Sequence, residues 1–200
     1  MGPVFAFAAE TPDGIVLIDT GIGPPHPLID KLYRPTRYPL DAALAACGLD
    51  IGDVEAIVNT HLHFDHCGGN AAFPGVLIYV QAVEHEAAHE PGHTIAEWVD
   101  FPGARYELLT GDAEIAPGVS VLSTPGHTPG HQSVLLDTPA GRIIVAGQAA
   151  ETAEDFRRAQ QSSPMPSDEQ ATASIRRILE LAPTRVYFSH DPVWWQPKSL

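Results

Sequence analysis

An α+β fold, with mixed sheets covered by helices, is what the sequence predicts, and three observations carry that expectation. Short apolar or β-branched runs recur along all 200 residues. Two pairs of such runs are joined by turn chemistry, Thr11-Pro12-Asp13-Gly14 and Thr138-Pro139-Ala140-Gly141. Helical segments stand between the runs rather than apart from them. Taken in order, Phe5–Ala9 and Ile15–Asp19 read as a hairpin across the first turn, and Leu40–Cys47 as a helix stopped by Gly48. Val54–Asn59 reads as a buried strand that delivers the segment Thr60–Asn70 into a loop. Val76–Val80 is a strand followed by a helical stretch near Gln81–His89. Glu107–Leu109, Glu114–Ala116 and Val119–Ser123 read as short strands, and Ser133–Asp137 with Arg142–Ala146 as a second hairpin. Ser167 is expected to cap a helix from Asp168 to about Leu181, with Asp168 and Glu169 favoured in its first turn by the helix dipole. Its apolar side is Ala173, Ile175, Ile178, Leu179 and Leu181; Pro183 ends it, and Arg185–Phe188 is the last strand.

Composition narrows the function. Eleven Lys+Arg against 25 Asp+Glu give a net charge of −14. That argues against nucleic-acid and anionic-membrane partners, which need basic surface. No apolar run approaches the ~20 residues of a membrane span, and MGPVFAFAAE lacks the basic start of a signal peptide. A chain of this length allows one ordinary domain, expected to be cytoplasmic. Cys47 and Cys67 form no CxxC, so neither a disulfide framework nor a Cys-rich zinc module is on offer. Ten histidines against two cysteines point instead to metal binding through nitrogen and oxygen.

The centre of that reading is Thr60-His61-Leu62-His63-Phe64-Asp65-His66-Cys67-Gly68-Gly69-Asn70. His61 and His63, two apart on extended backbone, point the same way and can share a cation. Asp65 and His66 follow where the chain turns and can face a second. Catalytic zinc sites usually keep three protein ligands and one open position, so two sites need about six. The remainder must come from afar. Thr124-Pro125-Gly126-His127-Thr128-Pro129-Gly130-His131 and His190 both stand at strand ends.

HLHFDH followed by two distant histidines resembles the metallo-β-lactamase-fold hydrolases, along nearly the whole chain. HLHFDHCGGN, Val80-Gln81-Ala82-Val83-Glu84 and TPGHTPGHQSV are similar to the N-acyl homoserine lactone lactonases. The resemblance implies one four-layer αβ/βα sandwich over residues 1–200, with the metals at one edge. It implies that His61, His63 and His127 hold one zinc, and Asp65, His66 and His190 the other. Fe, Mn, Co or Ni suit the same donors. Asp19, in Leu17-Ile18-Asp19-Thr20-Gly21, matches an acid that braces the metal loop, and His131 is expected to support it. The implied reaction is lactone opening by attack of metal-bound hydroxide, with Asp65 holding a metal, orienting the nucleophile and shuttling a proton. The partner is a small molecule, and a homodimer is compatible with the reading. Other superfamily members cleave thioesters or β-lactams, and an inactive metal- or ligand-binding relative is the remaining alternative.

Two positions depart from the family. Gln148 stands where an aspartate usually bridges the metals, and Glu151 where the lactonases carry a tyrosine near the substrate carbonyl. A neutral amide offers one carbonyl oxygen and leaves the centre one charge more positive, with the second ion held less firmly. Gln148 is therefore a candidate metal or substrate contact, and Glu151 a candidate pocket carboxylate or a surface acid on the polar stretch Thr152–Gln161. The family usually carries a further strand and loop ahead of the hairpin, an edge expected to be lacking here. Phe64 reads as an acyl-pocket wall or a core aromatic. His85, His89 and His93 recur at helical spacing, but Pro91-Gly92 breaks the helix, so a solvated face is expected. Cys67 reads as a small buried residue, and Trp194-Trp195 as cover for the sheet.

Overall fold

Alternating side chains on short strands set up two five-stranded sheets stacked face to face. The computed structural model describes residues 2–161 and 169–197. β1 (Phe7–Thr11) and β2 (Gly14–Ile18) form the expected antiparallel hairpin. Its turn is closed by the Thr11 hydroxyl donating to the Gly14 carbonyl at 2.8 Å, with Gly14 at φ +126°, a conformation that L side chains avoid. β3 (Val54–Val58), β4 (Leu77–Gln81) and β5 (Arg105–Leu109) extend the sheet in parallel, in the order β1-β2-β3-β4-β5. The second sheet runs β10-β9-β8-β7-β6. In it β6 (Ala113–Ala116), β7 (Val119–Ser123), β8 (Gln132–Thr138) and β9 (Gly141–Val145) are antiparallel, while β10 (Arg185–Tyr187) joins β9 in parallel.

Three apolar clusters separate four layers. Val16, Ile18 and Val58 meet Val119, Val121, Val134 and Val145 between the sheets. The alternate residues Ile15, Leu17 and Ile57 pack outward with Leu44 of α2 (Leu40–Ala46), Phe73 and Phe101. Leu122, Leu135 and Ile144 face the other way, onto Phe156 of α6 (Ala153–Gln161) and onto Ile175 and Ile178 of α7 (Glu169–Glu180). Each large side chain so buried contributes about 1.5–3 kcal/mol. This is the predicted helix–sheet–sheet–helix order. Among the described residues no helix is long and apolar enough to cross a membrane.

Local readings hold at most elements and fail at a few. α4 (Ala82–Ala87) follows β4 as expected. The expected loop after β3 contains a one-turn helix, α3 (Phe64–Cys67), and α5 (Ala96–Val99) precedes β5. α1 (Pro27–Tyr33) arises in a segment the sequence reading left empty, because Pro27 sits at its first turn, where a missing N–H costs nothing. Thr152–Gln161, read as a polar stretch, is largely α6. Thr152 and Asp155 cap each other's groups at 2.6 and 3.1 Å, and Ala153 and Phe156 turn inward. The expected Ser167 cap and Asp168 lie outside the described residues. Trp195 does cover the sheet: it packs on Phe156 and exchanges two backbone bonds with Val186, each 2.9 Å. Trp194 is half-exposed beside Tyr187.

Candidate metal centre

Strands β2, β3, β7, β9 and β10 all end at one edge of the sandwich, and each end delivers a polar residue there. Directly after β2, Asp19 adopts φ +58° and buries its carboxylate completely. One oxygen accepts the Thr60 N–H at 2.7 Å; the other accepts the Thr60 hydroxyl and the His66 Nδ1–H, each at 2.8 Å. With Nδ1 so engaged, His66 has only Nε2 to offer a cation. Burial pushes the His66 imidazolium toward deprotonation, but the Asp19 charge and hydrogen bond outweigh it and raise its pKa. Behind this loop Thr20, Asn59 and Asn70 are tied side chain to side chain, with Thr20 and Asn59 also donating to the His66 carbonyl. Gly68 is obligatory here, since a Cβ would lie 2.1 Å from the Gly23 nitrogen.

The six expected ligands gather as two groups, His61/His63/His127 and Asp65/His66/His190, whose donor atoms in each group lie within 4.8 Å of one another. In the first, His61 Nε2 and His127 Nε2 stand 3.0 and 3.1 Å from His63 Nδ1. Tetrahedral zinc with nitrogen ligands at about 2.0–2.1 Å requires similar separations, about 3.3 Å. Burial is the main cause that lowers the pKa of all three imidazoles, that of His63 to about 4 and that of His61 well below its usual value. Three neutral rings therefore aim their nitrogens at one point, which is the donor set a divalent cation requires. In the second group His66 Nε2 lies 3.4 Å from His190 Nε2, and Asp65 reaches His190 at 3.7 Å and His66 at 4.0 Å. His190 Nδ1–H donates to the Pro3 carbonyl at 2.9 Å, which again leaves Nε2 free.

Gln148, at the end of β9, is half-buried beside this centre. Its backbone N–H donates to His131 Nε2 at 3.0 Å, while His131 Nδ1–H donates to the Thr124 carbonyl at 2.9 Å. Burial drives the His131 pKa to about 3, so it stays neutral in one tautomer and positions the backbone at Gln148. The Gln148 amide donates to Glu151 Oε1 at 2.7 Å, and Glu151 is exposed. Phe64 is half-buried, stacked at 4.8 Å on Tyr33 and packed with Ile29, Ile95 and Trp98. Cys67 is fully buried, outside both ligand groups, and burial pushes its thiol up to about 12.

Two further residues belong to the centre that the sequence reading did not place there. Glu84, in the first turn of α4, is completely buried between the two ligand loops. His93 was expected on a solvated face. Instead the chain turns back after α4, and His93 bonds Glu84 at 2.9 Å with its ring 4.8 Å from that of His63. The expectation holds for His89, which is exposed and paired with Asp100 at 3.1 Å, whereas His85 is half-buried against Tyr106. Burial alone would raise the Glu84 pKa, but hydrogen bonds from His93, Leu62 and Thr128 bring it down to about 2. Its contribution is fully present above the unfolded value of 4.5 and is lost as pH falls toward 2. Apo protein should therefore lose about 3 kcal/mol to this one group across that window. Urea unfolding at successive pH values should show a flatter acid limb for Glu84→Gln than for wild type.

A cavity of about 800 Å³ lies beside the first hairpin and α2, lined by Val4, Phe5, Ile22, Tyr33, Tyr38 and Leu44 among others. None of the six ligands lines it; Pro3 and Thr20, which bond His190 and His66, connect it to the centre.

The profile of the Metallo-beta-lactamase superfamily matches residues 1–190. An N-acyl homoserine lactonase of Bacillus sp is 35% identical over 205 residues, covering 94% of this chain and 81% of the relative. One from Bacillus cereus is 34% identical with the same coverage. Among solved structures, an N-acyl homoserine lactone hydrolase with the product N-hexanoyl-L-homoserine bound at its catalytic metal centre superposes with a TM-score of 0.79 at 32% identity, over 96% of this chain and 82% of that one.

Proposed function

Because the chain belongs to the metallo-beta-lactamase superfamily and, within it, to the N-acyl homoserine lactonase family, we propose that it is a metal-dependent hydrolase that opens the ring of N-acyl homoserine lactones. The observation that carries this reading is the complete set of five histidines and Asp65, converging as two groups at the strand ends. The donors suit zinc, one ion to each group. Bound there, two such ions would supply Lewis acidity toward the carbonyl and bring a water's pKa to about 7.

The chain's own residues account for the rest. Asp65, the one carboxylate in either group, would take the proton from the attacking water. It would return that proton to the ring oxygen as the carbon–oxygen bond breaks, so that one water is consumed and a hydroxy acid is released. Asp19 and Pro3 hold the tautomers of His66 and His190 that present Nε2. His131 holds the backbone of Gln148, whose carbonyl oxygen is a neutral contact for metal or substrate. The apolar cavity beside the first hairpin suits an acyl chain, and Tyr33, on which Phe64 stacks, would form part of its wall. Glu151, exposed and bonded to Gln148, would offer its carboxylate to polar groups of the substrate.

The test is a panel of N-acyl homoserine lactones, thioesters and β-lactams assayed with zinc-loaded protein beside His63→Ala. Lactone turnover that follows zinc loading and is absent from the variant is expected. Preference for thioesters or β-lactams would reassign the substrate, and zinc-independent turnover would end the proposal.

A further inference from the structure

We propose that Glu84 is a positioning residue for the first metal, its buried carboxylate locking the His61–His63 loop to the His127 loop so that three ligands from two segments converge. The inference rests on the metal-dependent reading above. Glu84 offers two oxygens, and each one serves a different loop. Oε1 accepts the N–H of Leu62, the residue between His61 and His63, at 3.0 Å. It also meets His93 Nε2 at 2.9 Å, and the His93 ring lies against that of His63. Oε2 accepts the hydroxyl of Thr128, next to His127, at 2.6 Å and the N–H of Gly130 at 3.1 Å. The loop carrying His127 approaches α4 so closely that a Cβ on Gly130 would fall 2.4 Å from the Glu84 backbone nitrogen. The other buried carboxylates among the described residues, Asp19 and Asp65, make no hydrogen bond to the His127 loop.

The second group is built differently. His66 is braced by Asp19 and His190 by the Pro3 carbonyl, and neither contact involves Glu84. Loss of Glu84 should therefore separate the two metals, which a general loss of packing would not do. Glutamine has the same size but only one acceptor oxygen. Whichever way its amide turns, its NH2 faces a backbone N–H, of Leu62 or of Gly130, and that loop loses its acceptor.

The measurement is a zinc titration of substrate-free protein against a competing chelator, with Co(II) absorption as a second readout of the first group. In Glu84→Gln the first ion should bind about 10–100-fold more weakly, the usual cost of losing a group that orients ligands. Its cobalt spectrum should change, while the second ion shifts by less than about threefold by the same comparison. Equal weakening of both ions, or unchanged affinity, would overturn the proposal. Should Glu84→Gln fail to fold, Thr128→Val decides instead, since it removes the shorter of the two bonds to Oε2 and leaves the Gly130 N–H in place. A folded Thr128→Val protein with several-fold weaker first-ion binding is expected, and wild-type affinity in that variant overturns the inference. Because no substrate is present, a wild type that binds two ions but turns over no lactone would fail the functional proposal alone.

Discussion

Asp19→Ala should destabilise the protein by about 3–5 kcal/mol and weaken binding of the second metal by about 10–100-fold. The carboxylate is fully buried, and its removal leaves the Thr60 N–H without an acceptor and takes from the Thr60 hydroxyl and the His66 Nδ1–H their shortest partner, in a place water does not reach. Each orphaned donor costs about 1–3 kcal/mol. Alanine must also hold φ +58°, which aspartate tolerates better. His66, freed from its brace, no longer presents Nε2 in one orientation. Asp19→Asn should fall between the two proteins, since it keeps one acceptor and tolerates the backbone. Urea unfolding of the metal-free variants, followed by zinc titration of those that fold, measures both effects. Wild-type stability in Asp19→Ala would contradict the account.

Gln148→Asp is expected to tighten the second metal by about tenfold or more, since a carboxylate near a divalent cation is worth several kcal/mol even at an effective dielectric of about 20. The side chain leaves the β9 end beside His66 and His131. The substitution has a cost, because the present amide donates to Glu151 and an aspartate there would face another carboxylate. Gln148→Asp combined with Glu151→Gln removes that repulsion and should bind the second ion more tightly than either single variant. Metal stoichiometry after dialysis, measured across the four proteins, checks the order. An unchanged second affinity in the double variant would show that position 148 does not reach the ion.

Much of this architecture can be read from residue order. Both hairpins declare themselves through Pro and Gly between short apolar runs, and the ligand histidines through their density after a strand. Other features depend on contacts that no local pattern reports. α1 hides among Pro24, Pro25, Pro27 and Pro35, which read together as irregular chain although one of them opens the helix. α6 is polar on most positions, and its inward side is little more than Ala153 and Phe156. Glu84 looks like any first-turn acid on a short helix, and its burial follows from two loops arriving from elsewhere. His93 misleads for the opposite reason: its spacing from His85 and His89 suggests one helix face, yet the break at Pro91-Gly92 sends it to the metal centre. The Gln148 departure is visible in sequence, whereas its amide bond to Glu151 is visible only in three dimensions.

The bond from His190 to Pro3, with its neighbour from the Phe5 N–H to the Ser189 carbonyl at 2.9 Å, makes the second group depend on both ends of the chain. The first metal's ligands all lie between residues 61 and 127 and are available early. The second group must wait for residue 190 to leave the ribosome and dock on a segment made almost at the start. An ion held by the second group would therefore bind later than one held by the first, once the segments that flank the first and last strands have met.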